Sequence, residues 1–453
     1  MTLKCAVSLV CAAVTWACSS ASAYAMSEDA RIAKAVQAID PQVRAWRHDF
    51  HQHPELSNRE VRTSKKVAEV LQGLGLEVRT GIAKHGVVAL LRAGKPGPTI
   101  AYRADMDATI GPELNDLPFR STSTDSYLGQ QISVSHLCGH DAHTAMLLGI
   151  ATVLTGMRDR LPGNVMFIFQ PAEEAHVNPG EPFGAREMLK ENVFELFGKE
   201  YAPAAIFGLH VLPREAGTIT FRAKTLLGSS ENVLVKLTPA QAAVRGHDLT
   251  HEAAPADPVI AMAKMALALE DLPKLEQESF APPPHIRIGD IKTAFDFRTG
   301  GMTLDMNIDI AVFDKNVEQK VHDWVTGTVQ SIATQSGVAA NIRSEQYAPV
   351  LYNDPDLVKQ LRPAVVRAIG EKNIVEQYYF FPAADDVALF QSRIPGIFMF
   401  LGVNKPGLKT GETASNHTPK FFVNEDTFQA GMRAMTTVGL DYLNLHSKAA
   451  KTE

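Results

Sequence analysis

Cysteine is scarce in this chain of 453 residues: Cys5, Cys11 and Cys18 crowd the N-terminus, and Cys138 stands alone beyond them. A lone thiol has no intramolecular partner, which excludes a disulfide framework for the body of the protein. Surplus positive charge is missing too. Forty-four Lys and Arg stand against 50 Asp and Glu, for a net charge of −6, and no basic run is found. That balance argues against a nucleic-acid partner. The apolar stretch "CAVSLVCAAVTWAC" is too short to span a membrane comfortably, and no later segment reads as a transmembrane helix. Repeats and long low-complexity tracts are absent. What remains, 45% hydrophobic and 21% charged, is an ordinary globular composition with room for two or three domains.

The N-terminus reads as an export signal. Lys4 supplies the positive charge, the apolar stretch follows, and Ala23-Tyr24-Ala25 forms an A-x-A-like cleavage site. Residues 1–25 are expected to be removed, leaving a mature chain that starts near Met26 and is periplasmic or secreted. A lipid anchor at Cys18 is the alternative, and Trp16 fits its processing site poorly. Cleavage would leave Cys138 as the single thiol in an oxidising compartment. A buried apolar cysteine is the ordinary explanation for such a residue, but its neighbours in "SHLCGHDAHTAM" point elsewhere.

Strand-like and helix-like patterns alternate through much of the chain. "GVVALLR", "TIAYRADMD", "NVMFIFQPAEE", "AAIFGLHV" and "IPGIFMFLG" read as strands. "EVRTSKKVAEVLQGLGL", "DAHTAMLLGIATVLTGM" and "EDTFQAGMRAMTTVGLDYL" read as helices. This predicts an α/β sheet with helices on both faces. From about Leu226 the order becomes β-α-β-β-α-β and closes on "ANIRSEQ", which predicts an inserted ferredoxin-like domain. The expected division is 26–225 and 348–453 for the α/β domain and 226–347 for the insertion.

Four groups of polar residues fall where predicted strands end or helices begin: Asp105/Asp107, Cys138/His140 with His143, Glu173/Glu174, and His210. Sites in open α/β sheets form at the carboxyl ends of strands, so these distant segments can converge. Thiolate, imidazole and carboxylate together suit a borderline transition metal. Of two adjacent carboxylates, one can bind metal while the other acts as a base on water. Beside a metal, Cys138 would be a thiolate ligand.

The stretches "RHDFHQHPELSNREVRTS", "YRADMDA", "HLCGHDAHTAMLLG", "GNVMFIFQPAEEA", "IFGLHVLPREAGTI", "IPGIFMFLG" and "NHTPKFFVNEDTFQAGM" cover most of the mature region. In that order they resemble the hippurate hydrolase and indole-acetyl-amino-acid hydrolase branch of the aminoacylase/carboxypeptidase G-like metallopeptidases. The resemblance implies a dinuclear-metal α/β catalytic domain with an inserted ferredoxin-like lid that forms a homodimer. It implies two divalent ions, Zn or Mn, on Cys138, His140, Glu174, His210 and His417. It makes Glu173 the general base and acid and Asp107 the acid that orients the site. Asp105 is less well matched, His143 has no ligand role, and His51 and His53 fall in a structural stretch. His247, in "VRGHDLTHEAAPADP", matches the lid histidine that polarises the scissile carbonyl, in its own site or the partner subunit's.

Two stretches depart from the family pattern. An Asn-Val-Ile-Pro turn is followed, thirteen residues on, by an Arg that grips the substrate carboxylate. Here the turn reads "DFRTGG", Arg298 stands in place of the Asn, and Ala311 in place of the Arg. The "GSED" stretch becomes "PAADD" at Pro382 to Asp386. Either Arg298 serves the carboxylate from a new position, or the substrate lacks one. The expected activity is metal-dependent hydrolysis of N-acyl amino acids or related small amides by activated water. A dipeptidase or carboxypeptidase with the same centre is the alternative enzyme. An inactive metal- or ligand-binding protein is the alternative outside enzymes, and the retention of both Glu173 and Glu174 argues against it.

Overall fold

The computed structural model describes residues 26–178, 180–239, 256–275, 282–296, 301–376 and 383–449. The leader, His247 and Arg298 lie outside them.

Eight strands make the main sheet, in the spatial order Glu77–Ile82, Gly86–Leu91, Asn164–Gln170, Thr99–Asp105, Pro203–Leu212, Gly396–Gly402, Ile219–Thr220 and Ile374–Val375. The four strands from Asn164–Gln170 to Gly396–Gly402 run parallel; Gly86–Leu91 and Ile219–Thr220 join them antiparallel on either side, the outermost strands pairing antiparallel at the first edge and parallel at the second. Thr99–Asp105 and Gly396–Gly402 are buried along their whole length. Gly396–Gly402 reads as an unbroken apolar run because helices cover both faces and no position faces solvent, whereas Thr99–Asp105 buries Arg103 and Asp105 among its apolar residues.

On one face pack Glu28–Gln52, His140–Thr155, Pro355–Ile369 and Phe428–Ala449 around Tyr102, Phe167 and Phe207. Each such fully buried aromatic contributes roughly 1.5–3 kcal/mol. On the other face, Gly184–Lys190 and Val387–Gln391 close over Met166, Ile168 and Phe398. The first helix was not foreseen. It buries Ile32, Val36, Val43 and Phe50 at helical spacing, but also Asp40, Arg47 and His51, which blur its apolar face in the sequence. His51 is structural: its Nδ1 lies 2.8 Å from Asp141 and its Nε2 2.9 Å from Glu113, while Arg47 holds the same Asp141 at 3.0 Å. His53 is half-exposed and bonds only its own helix, at the Asp49 carbonyl. A small sheet of Thr109–Ile110, Gln130–Ser135 and Thr124–Tyr127 was also missed, its strands being short and polar.

The second sheet has four antiparallel strands in the order His285–Asp296, Gly301–Ala311, Ser230–Pro239 and Val338–Ala348. Helices Pro258–Leu275 and Glu318–Gln335 complete the ferredoxin-like β-α-β-β-α-β order. Val233, Val235 and Leu237 alternate along one strand and meet Val321, Val325 and Val329, which recur every fourth residue on the helix. A short antiparallel pair, Lys224–Leu227 with Leu351–Asn353, lies just outside the ends of this sheet. No helix among the described residues is long and apolar enough to cross a membrane.

Candidate metal centre

Thr99–Asp105 and Asn164–Gln170 end level, with Asp105 opposite Gln170, and Pro203–Leu212 and Gly396–Gly402 end together a little further on, at Leu212 and Gly402. The loops that follow therefore open at one place. Asp107 lies two residues past its strand, Glu173 and Glu174 lie just past theirs, and His210 sits near the end of Pro203–Leu212. Cys138 and His140 flank Gly139, at the start of helix His140–Thr155. Gly139 has φ 101°, and a Cβ there would meet Val211 Cγ2 at 2.3 Å, so only glycine lets this turn approach the strand.

The Glu173–Glu174 turn is held from within. Ala172 and Ala175 both adopt positive φ, at 54° and 53°. The Glu173 N–H donates to Asp107 Oδ1 and the Glu174 N–H to Oδ2, each at 3.0 Å, and Ser57 Oγ donates to Oδ2 at 2.6 Å. A buried carboxylate thus fixes a strained loop through backbone donors, and both Glu side chains are left to face the donor cluster. His417 reaches the same place with φ 63°, and its Nε2 stands 3.0 Å from Glu174 Oε1.

Tautomers follow from the partners. His210 places Nδ1 2.8 Å from the Val211 carbonyl, so Nδ1 carries the proton and the bare Nε2 faces Cys138 Sγ at 3.3 Å. Burial, with His143 and His140 nearby, holds His210 well below its ordinary value and keeps it neutral. His143 has no lone pair to offer: Nδ1 donates to Asp105 at 2.6 Å and Nε2 accepts the Val211 N–H at 2.8 Å. Asp105 is engaged as well, with its other oxygen on Arg103 at 2.6 Å. Asp105 and His143 therefore orient their neighbours.

The residues present suit a metal. Cys138, His140 and His210 bring one donor atom each to within 4.8 Å of one another, and so do Cys138, Glu174 and His417, and His140, Glu173 and Glu174. His140 is fully buried, yet neither ring nitrogen makes a hydrogen bond; Asp107 Oδ1, 3.3 Å from Nδ1, lies off the hydrogen-bond direction. Glu174 Oε1 is likewise buried without hydrogen-bond geometry. Unsatisfied buried donors of this kind are costly unless something binds them. Electrostatics agree. Cys138 and then Glu174 push His417 up to about 11, and Asp105 with Cys138 outweighs burial to raise His140. Anions that draw a proton so strongly draw any cation. Burial works against ionisation of Glu174, but His417 overrides it and holds that carboxyl below its ordinary value. Glu173 goes the other way, raised by burial and by the charges of Asp385 and Glu174. The two adjacent glutamates thus have opposite environments.

Behind them lies a buried network that sequence reasoning did not assign. Arg103 contacts Asp105, Asp385 at 3.2 Å and Asp386 at 3.0 Å, and its Nε donates to Gln170 at 2.8 Å. One guanidinium cannot neutralise three carboxylates, and burial lifts Asp385 and Asp386 above their ordinary values. A charged residue in the middle of an all-buried strand was the available signal for Arg103. A cavity of about 760 Å³ opens over the centre. Its walls include Leu212, Leu227, Phe400, Tyr347 and Arg214.

Comparison with known proteins agrees with this geometry. Residues 101–440 match the model of peptidase family M20/M25/M40. Thermostable carboxypeptidase 2 of Saccharolobus solfataricus is 30% identical over 413 residues, covering 90% of this chain and 97% of its own. N-acetylcysteine deacetylase of Bacillus subtilis is 30% identical over 384 residues, covering 84% and 91%. A solved structure from Bacillus subtilis, described as a dinuclear metal binding peptidase from the M20 family, superposes with a TM-score of 0.71 at 27% identity, covering 90% of this chain and 99% of that one. The donor cluster at the strand ends, the family model that spans most of the chain and these full-length relatives agree, and the chain belongs to peptidase family M20/M25/M40.

Proposed function

We infer that this metal-dependent hydrolase cleaves the amide bond of N-acyl amino acids. The observation that carries the reading is the split within the Glu173–Glu174 turn: both face the donor cluster, but Glu174 alone shares a donor group with Cys138 and His417 and is held ionised there, while Glu173 is raised by burial and by Asp385 and lines the cavity as a base. Cys138, His140, Glu174, His210 and His417 would hold two divalent ions. Such ions, when bound, polarise a carbonyl and make water more acidic. Glu173 removes a proton from the attacking water as its oxygen bonds to the acyl carbon. It returns that proton to the amine nitrogen as the C–N bond breaks, giving acid and free amine. His247 would polarise the carbonyl from the lid, and the lid would join two copies of the chain.

Leu212, Leu227 and Phe400 suit an apolar acyl group. The Bacillus subtilis deacetylase relative supports an N-acyl amino acid, while the Saccharolobus solfataricus carboxypeptidase favours the alternative of a peptide substrate. Two arginines are candidates for the substrate carboxylate: Arg298, which stands in the sequence where the family has Asn while Ala311 replaces the usual Arg, and Arg214, on the cavity wall. An N-acyl amino acid, its carboxamide and a dipeptide, assayed with added Zn²⁺ or Mn²⁺, test the reading, and the first is expected to be turned over best. Replacing the gripping arginine by Ala should lower kcat/KM on the acid by about 10–100-fold, as for loss of a charge-assisted hydrogen bond, and leave the carboxamide nearly unchanged. Equal losses on acid and carboxamide for both Arg298→Ala and Arg214→Ala would favour a neutral amide, and preference for the dipeptide would favour the carboxypeptidase.

Export with cleavage after Ala25 is part of the same reading. Mass spectrometry of the periplasmic or secreted protein should find an N-terminus at Met26. An intact Met1 on the functional protein would refute export, and a lipid on Cys18 would move the protein to a membrane surface.

A further inference from the structure

We propose that Tyr347 is a positioning residue for the reaction, a hydroxyl on the lid that clamps the carboxylate of Glu173. The inference rests on Glu173 being the proton carrier. Tyr347 is the penultimate residue of the lid strand Val338–Ala348, and its ring lines the cavity. Its Oη is within hydrogen-bond reach of two acceptors on Glu173: the backbone carbonyl, and Oε1 at 2.8 Å. The ring is stacked on Phe183, with centroids 6.3 Å apart and planes 16° from parallel, which limits its swing.

The clamp matters because the terminal torsion of a glutamate is soft and roughly two-fold. Asp107 fixes the backbone of the turn through the Glu173 and Glu174 N–H groups, but it leaves the carboxylate free to rotate. With Oε1 taken by Tyr347, Oε2 is the oxygen turned to the donor cluster, 3.8 Å from His140 Nε2. The base is thereby aimed before substrate arrives. Tyr347 also sits where the lid joins the main sheet: the next residue, Ala348, pairs with Ser230, and Leu351–Asn353 follows. A tilt of the lid about this junction would move Oη relative to a base whose backbone is anchored elsewhere.

Tyr347→Phe removes the hydroxyl and keeps the ring against Phe183. In the metal-loaded protein, kcat should fall about 10–100-fold, the scale of a misplaced catalytic group, while KM stays within about twofold. Metal content, by elemental analysis, should be unchanged. In a Glu173→Gln background the same change should cost nothing further, since residues acting through one another are not additive. An unchanged kcat in Tyr347→Phe, a rise in KM alone, or a full further loss in the double variant would each overturn the proposal. If Glu173→Gln abolishes turnover and Tyr347→Phe does not, only the clamp is wrong. If Glu173→Gln is fully active, the reading of Glu173 falls and the clamp falls with it.

Discussion

Glu173→Gln is expected to lower kcat by about 10²–10⁴-fold and to leave the protein folded and metal-loaded. The substitution is nearly isosteric. It keeps an acceptor oxygen for Tyr347 and keeps the backbone N–H that donates to Asp107. It removes only the ability to take up a proton and return it. Glu174→Gln is expected to do the opposite and lose metal first, because Glu174 shares its donor group with Cys138 and His417. The measurement is a pair of elemental analyses beside single-turnover and steady-state rates. If Glu173→Gln lost metal while Glu174→Gln kept it and lost turnover, the two roles would be exchanged.

Cys138→Ser is the second large effect. Cys138 Sγ belongs to two of the donor groups, with His140 and His210 on one side and Glu174 and His417 on the other, so one substitution reaches both candidate ions. A serine hydroxyl is harder and is not ionised at neutral pH, which makes it a poor replacement for thiolate toward a borderline metal. Bound metal should fall below two ions per chain. The unfolding temperature should fall with it, because a ligand that binds only the folded state stabilises it by mass action. A chelator applied to the unaltered protein should reproduce the thermal shift, and added Zn²⁺ or Mn²⁺ should reverse it. Two ions retained by Cys138→Ser at the original affinity would remove Cys138 from the centre. The fold itself should survive, because the main core of Tyr102, Phe167, Phe207 and the helices around them does not depend on the site.

Much of this was legible in the order of residues. Unbroken apolar runs such as "GIFMFLG" announced buried strands. Polar residues just past their ends announced a site, because a chain leaving a parallel sheet must turn there. The β-α-β-β-α-β pattern of the lid was readable because its strands alternate, with one face buried. Less was readable where polar residues are buried. The first helix hides its apolar stripe behind Asp40, Arg47 and His51: Asp141 and Glu113 meet Arg47 and His51 inside, and Arg44 of the same helix pairs with Asp40.

The sequence by itself determined the α/β class and the inserted lid, which rest on periodicity, and pointed by side-chain chemistry to Cys138, His140, Glu174 and His210 as residues able to bind metal, while His417 came only from the family resemblance. The tertiary structure decided which of those residues keep a lone pair to give. His143 and His210 look alike in the chain, but the Val211 backbone satisfies Nε2 of one and Nδ1 of the other, so only His210 presents a bare nitrogen to Cys138. Asp105 and Asp107 differ in the same way, one spent on Arg103 and His143, the other on the backbone of the glutamate turn. Arg103, Asp385 and Tyr347 entered the site only through folding, from positions 103, 385 and 347 of the chain. A hydrogen bond depends on distance and direction between groups remote in sequence, and those are fixed only when the strands, the lid and the loops have packed.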